Sequence, residues 1–146
     1  MVALLVGGAA CAETPDATQD DSIEALRTRA NAGDTDGQYM LAMRYFAGHE
    51  APQDAVEAVA WHRKAAEQGH ADAQYFLGVM SDIGEGVPQD DVEAYKWFNL
   101  ATTYADAEER EKYAERRTTA GERLTPEQRT EGQKLAREWF AAHPPE

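Results

Sequence analysis

The sequence predicts an all-α repeat protein. A 36-residue stretch occurs twice in succession, apolar residues in each copy fall at helical spacing, and Gly and Pro stand where helices must stop. Sliding the chain by 36 residues lays Gly33 on Gly69, Asp36 on Asp72, Gln38-Tyr39 on Gln74-Tyr75 and Leu41 on Leu77. It also lays Gly48 on Gly84, Pro52-Gln53-Asp54 on Pro88-Gln89-Asp90, Val56-Glu57-Ala58 on Val92-Glu93-Ala94, Trp61 on Trp97 and Ala65 on Ala101. Some 14 identities without a gap are far more than chance supplies.

Each unit reads as two helices. Asp36 to Ala47 and Asp72 to Ile83 are the first helices, with Tyr39 and Met43, or Tyr75 and Val79, on one face. Gly48 and Gly84 stand where a left-handed C-cap residue belongs. The loops that follow, HEAPQ and EGVPQ, carry a Pro that cannot continue a helix. Asp54 and Asp90 then suit the N-caps of the second helices. Those helices carry Ala58, Trp61 and Ala65, or Ala94, Trp97 and Ala101, in one stripe for burial.

The flanks extend the pattern. Ser22 to Asn31 reads as a helix with Ile23, Leu26 and Ala30 on one face, like the second half of a preceding unit. A charged helix is expected from about Ala105 to Gly121, with Tyr113 and Ala114 as its contacts. Thr125, Pro126 and Gln128 form a strong start for a last helix, whose apolar face holds Leu135, Ala136, Trp139 and Phe140. The division expected is one α-solenoid domain over 21–146, with repeats at about 33–68 and 69–104 and a helical cap at 105–142.

Residues 1–12 differ from the rest: Val2 to Val6 form a short apolar run, and Ala10-Cys11-Ala12 is an A-x-A cleavage pattern. Residues 13–20 read as a flexible leader. The expectation is export to the periplasm or beyond, with cleavage after Ala12. The positive n-region is missing, so the true start is expected upstream. Acylation of Cys11 is the weaker alternative, because Gly8 stands where lipoprotein sites favour Leu. The apolar run is too short to span a membrane. Cys11 is the only cysteine, so a chain cleaved after Ala12 has no disulfide and rests on packing.

Charge narrows the partners. With 27 acidic against 14 basic residues the net charge is −13, which disfavours nucleic acid and anionic lipid and favours a basic partner. The four histidines match no metal spacing, and the acidic runs lack the Gly and terminal Glu of a calcium loop, so no cofactor or metal is expected. His62, beside Trp61, reads as a half-exposed structural histidine. The two serines, Ser22 and Ser81, have Ala25 and Gly84 three places on, not the Lys of an S-x-x-K motif, and there is no K-T-G.

The ordered set of Gln-Tyr, Leu, Gly, Pro-Gln-Asp, Ala and Trp, repeated twice, resembles the Sel1-like repeat, a relative of the tetratricopeptide repeat. The second unit fits best. In the first, Gly37 replaces the usual Ala, Ala42 the Gly, and Glu50-Ala51 the Gly-Val of the loop; in the second, Ser81 replaces an aromatic and Ala105 the closing Gly. The resemblance implies a short right-handed α/α superhelix with C-terminal capping helices, the first helix of each pair lining its concave side. It also implies a non-enzymatic adaptor that binds a protein or peptide. The alternative it implies is a β-lactam-binding or hydrolytic enzyme of the cysteine-rich Sel1-like type, which the missing motifs disfavour. A third possibility is self-association, although a monomer is the expectation.

Positions identical between units read as packing, and positions that vary on the first helices as free for recognition. The latter give Met40 with Phe76, Met43 with Val79, Arg44 with Met80, and Ala47 with Ile83. Met40, Met43, Arg44, Phe76, Val79, Met80 and Ile83 are the predicted partner contacts.

Overall fold

The computed structural model describes residues 20–145, so the predicted export segment and most of the leader lie outside the described residues. Seven helices follow one another: α1 (Ile23–Asn31), α2 (Thr35–Ala47), α3 (Ala55–Glu67), α4 (Ala71–Ile83), α5 (Asp91–Tyr104), α6 (Ala107–Glu122) and α7 (Pro126–Ala142). No strand occurs among the described residues. The architecture is an all-α helical-repeat solenoid in which α1 to α6 each pack on their neighbours in sequence and α7 packs on α5.

The repeated residues make the same turns twice. Gly48 and Gly84 end α2 and α4 in the left-handed region, at φ 71° and 72°. Asp54 and Asp90 cap α3 and α5 by accepting hydrogen bonds from first-turn amides, while their own N–H groups donate back to Tyr45 and Ser81 carbonyls. The repeated glutamines fasten the other turn. Gln38 donates to the carbonyl of Ala30 and Gln74 to that of Ala66, each eight residues back, satisfying the end of the preceding helix. This is why Gln recurs there although its side chain is buried.

The starts of α2, α4 and α6 (Thr35, Ala71 and Ala107) are 36 residues apart. The first helix of the predicted cap therefore continues the register of α2 and α4, while α7 packs on α5 rather than on α6. The charged helix starts two residues later than expected, because Ala105 is extended and buried and Asp106 supplies the N-cap. Thr125 and Gln128 form the predicted capping box of α7.

The core lies between the helix rows. Its largest part joins Ala58, Val59, Leu77, Met80, Trp97, Leu100 and Ala136; a second cluster joins Ile23, Leu26, Leu41, Ala42 and Trp61. The predicted Ala/Trp stripes are buried in both units.

His62 is not half-exposed. Its side chain is fully buried, because position 62 faces inward like its repeat partner Phe98. The exchange accompanies one of the departures from the repeat pattern. A Cβ on Gly78 would lie 2.6 Å from the Phe98 ring, so the second unit needs Gly there. The first unit has Ala42 and His62 at the same two positions, a larger residue set against a smaller ring. Gly37 has a similar local cause: a Cβ there would meet Arg29 Cβ at 2.9 Å.

Glu50 is explained by the missing first turn of α1, which has 9 residues where α3 has 13. In the second unit a Cβ on Gly86 would strike the Ala55 carbonyl, at 2.4 Å, at the start of α3. Glu50 takes the same left-handed conformation, φ 63°, and its carboxylate accepts from the Ile23 N–H at 2.8 Å. The side chain thus caps the shortened helix.

Candidate functional site

The 36-residue register aligns one stripe on each of α2, α4 and α6. The stripes run Asp36, Met40, Met43, Ala47; then Asp72, Phe76, Val79, Ile83; then Glu108, Lys112, Glu115, Thr119. All twelve side chains are half-buried or exposed. Read across the helices, the first row is a line of carboxylates. Behind it, α2 and α4 present apolar groups and α6 presents charge.

Of the sequence-predicted contacts, Met40, Met43, Phe76, Val79 and Ile83 lie on the stripes, and Arg44 and Met80 do not. Met40 is half-buried against the α1–α3 cluster, and Val79 against the cluster of Ala94, Tyr95 and Phe98. Met43 is half-buried and Ile83 is 56% exposed. Arg44 is half-buried and donates to the Asp21 carbonyl at 3.1 Å, which ties it to the N-terminal edge. Met80 is a correction. It is only 1% exposed and belongs to the main core, so it offers nothing to a partner. Positions 44 and 80 differ because of what lies before them in the stack. A full helix pair precedes α4 and encloses Met80, whereas only the short α1 precedes α2.

An aromatic cluster supports the stripes from below. The Phe76 ring lies parallel to His62, with centroids 5.4 Å apart, and is flanked by Tyr39 and Tyr75. Tyr39 stacks on His70 at 4.5 Å, and Tyr75 stacks on Tyr113 at 4.5 Å. His70 caps α4 through Nδ1, and its Nε2 lies 3.5 Å from Asp36. The Tyr113 hydroxyl donates to the Asp72 carboxylate. The Lys112 ammonium lies beside the stacked Tyr75 and Tyr113 rings, 5.3 and 5.4 Å from their centroids.

Burial holds much of this cluster neutral. It drives the His62 pKa down to about 3, aided by the neighbouring His70. It pushes Tyr39 up to about 12, with Asp72 and Glu109 adding to the effect. Tyr113 is raised by burial first and then by its bond to Asp72. Neither ring nitrogen of His62 has a hydrogen-bond partner among the described residues. The arrangement can stack, cover and hydrogen-bond; Tyr39, His62 and Tyr113 keep fixed protonation states through the neutral range.

The cluster was not foreseen as a unit. Its one sequence signal is the 36-residue register continued into α6, which sets Leu77 against Tyr113 and is faint because few identities survive there. A separate open groove of about 540 Å³ runs between α5 and α7, lined by Asn99, Leu100, Thr103, Gln133, Ala136 and Phe140. None of the sequence-predicted contacts borders it.

A family model for the Sel1 repeat matches residues 35–70 and 71–103. This is a Sel1-like repeat protein. Sel1 repeat proteins are generally protein-interaction scaffolds and are typically non-enzymatic. Among solved structures, the chain is similar to a protective antigen present in uropathogenic Escherichia coli strains that displays an SLR fold. The two are 30% identical with a TM-score of 0.76 over 83% of this chain and 25% of the antigen. It is also similar to a Sel1 repeat protein from Oxalobacter formigenes, at 35% identity and a TM-score of 0.56, over 57% of this chain and 63% of that one. The chain thus spans a quarter of one relative and under two thirds of the other. No curated protein sequence matches it. No described helix of this Sel1-like chain is long and apolar enough to cross a membrane.

Proposed function

We propose that this Sel1-like chain is a monomeric, non-enzymatic docking module of the periplasm or cell envelope that holds a protein or peptide on the aligned face of α2, α4 and α6. The observation that carries the reading is the register of that face. Equivalent positions of successive helices are half-buried or exposed on all three, while most of the rest of α2 and α4 is buried or packed. An array of this kind offers a long surface without moving any backbone. The export pattern around Ala10-Cys11-Ala12 supports the compartment.

The test uses Met43 and Ile83, whose exchange leaves the aromatic cluster alone. Purified chain is used to capture partners from periplasmic extract, beside a Met43→Glu/Ile83→Glu variant. The expected result is a partner retained by the native chain and lost by the variant, with unchanged helical circular dichroism. Equal retention by both would remove this face from the function. Mass spectrometry of the cellular protein is expected to find Glu13 at the N-terminus, and a chain still carrying residues 1–12 in the cytoplasm would refute the compartment. Light scattering across a wide concentration range is expected to report one chain per particle.

A further inference from the structure

We infer that the segment docked on this face is cationic, pairing lysine or arginine with an apolar neighbour. The inference rests on the docking reading above and specifies the chemistry of the partner. Among the twelve positions of the stripes there are four carboxylates (Asp36, Asp72, Glu108 and Glu115) and one cation, Lys112. Helix N-termini stabilise carboxylates, which accounts for their presence in first turns. It does not account for Glu115 in the middle of α6, nor for the apolar rows of Met40, Phe76, Met43 and Val79 beside the acids.

One cation of the chain itself, Lys112, lies on this strip. The Lys112 ammonium lies beside the stacked Tyr75 and Tyr113 rings, and the Tyr113 hydroxyl donates to Asp72. At the next helix the His70 ring lies on Tyr39 with its Nε2 toward Asp36. A tyrosine ring with a carboxylate nearby therefore occurs twice along the strip, and the carboxylate attracts positive charge. Asp36 is 75% exposed, so its carboxylate is largely open to solvent. Beneath the strip, parallel to Phe76, lies His62, a fully buried polar ring with no hydrogen-bond partner among the described residues. The net charge of −13 would draw a basic segment in and repel an acidic one. An apolar side chain of the segment would cover Met43, Val79 and Ile83, while its lysines reach the carboxylate row.

The experiment is an amide-resolved NMR titration of the full chain with two short synthetic peptides, one alternating lysine and leucine, the other alternating glutamate and leucine. The lysine peptide is expected to shift residues of the strip, more strongly at low salt than at high salt, and the glutamate peptide to leave them unmoved. Asp36→Lys/Glu108→Lys, two exposed sites outside the core, is expected to weaken the lysine peptide at least tenfold while the amide spectrum of the rest of the chain stays that of the folded protein. Equal response to both peptides at the strip overturns the charge inference and leaves the docking reading standing. Shifts confined to other faces, or none with either peptide, overturn it too; the capture experiment with Met43→Glu/Ile83→Glu separately reads whether the face docks anything.

Discussion

His62 makes stability depend on pH in a way that one substitution isolates. The ring is fully buried, neither nitrogen is satisfied, and its pKa is driven from 6.5 down to about 3. The unfolded chain therefore takes up a proton near pH 6.5 and the folded chain does not. The depressed folded-state value means that the neutral ring's contribution is complete above pH 6.5 and is lost as pH falls from there toward 3. Each pH unit inside that window is worth about 1.4 kcal/mol, so the step from pH 7 to pH 5 removes about 2 kcal/mol. Substituting Phe removes the titration, and Ala42→Gly makes room for the larger ring, as Gly78 does for Phe98. Urea unfolding of Ala42→Gly and of Ala42→Gly/His62→Phe at the two pH values is the assay, since all other ionisable groups cancel in the comparison. The advantage of the Phe variant should grow by about 2 kcal/mol between pH 7 and pH 5. Parallel stability curves would refute the reasoning, for they would mean that His62 titrates alike in both states.

At neutral pH, His62→Phe alone is expected to destabilise by about 1–3 kcal/mol through overpacking against Ala42, and the double variant to recover more than 1 kcal/mol of it; additive single effects in a urea cycle would show that the two positions do not touch. Gly78→Ala should cost about 2 kcal/mol or more, because its new methyl group meets the Phe98 ring, and a thermal melt within a degree of the native chain would disprove the close approach. Glu50→Ala keeps the left-handed backbone but loses the bond to the Ile23 amide. It should cost about 1 kcal/mol and speed hydrogen exchange in α1 alone. Thr125→Ala, which breaks the capping box of α7, should cost about 1 kcal/mol by urea unfolding, and an unchanged midpoint would deny the cap its role.

The helix pairs were legible in the sequence because their stops are chemical. Gly48, Gly84, Asp54 and Asp90 each perform a local job that only a few residue types can do. The starts of α2 and α4 fell within one residue for the same reason. The start of α6 was less clear, since Ala105 fits a helix and only Asp106 marks the boundary. The binding face was half legible. Comparison of units separates repeated from variable positions, but variation has two causes. Positions 43 and 79 vary on the open face. Positions 44 and 80 vary because the first unit stacks on one short helix and the second on a full pair. A sequence comparison within one chain does not distinguish these cases. His62 was misjudged because histidine favours the surface on average, while its place in the register, opposite Phe98, already pointed inward.

The packing of α7 on α5, in place of its sequence neighbour α6, gives the solenoid a mechanical polarity. Along α1 to α4 the main packing joins each helix only to the helices next to it, so tension would release that stretch one helix at a time. Around α5 the helix on either side and the one beyond are clasped together, with Trp139 against Trp97 and Gly132 pressed on Tyr95. Pulled from its ends, the chain would peel from α1 and keep α4 to α7 as a last knot that yields in one step.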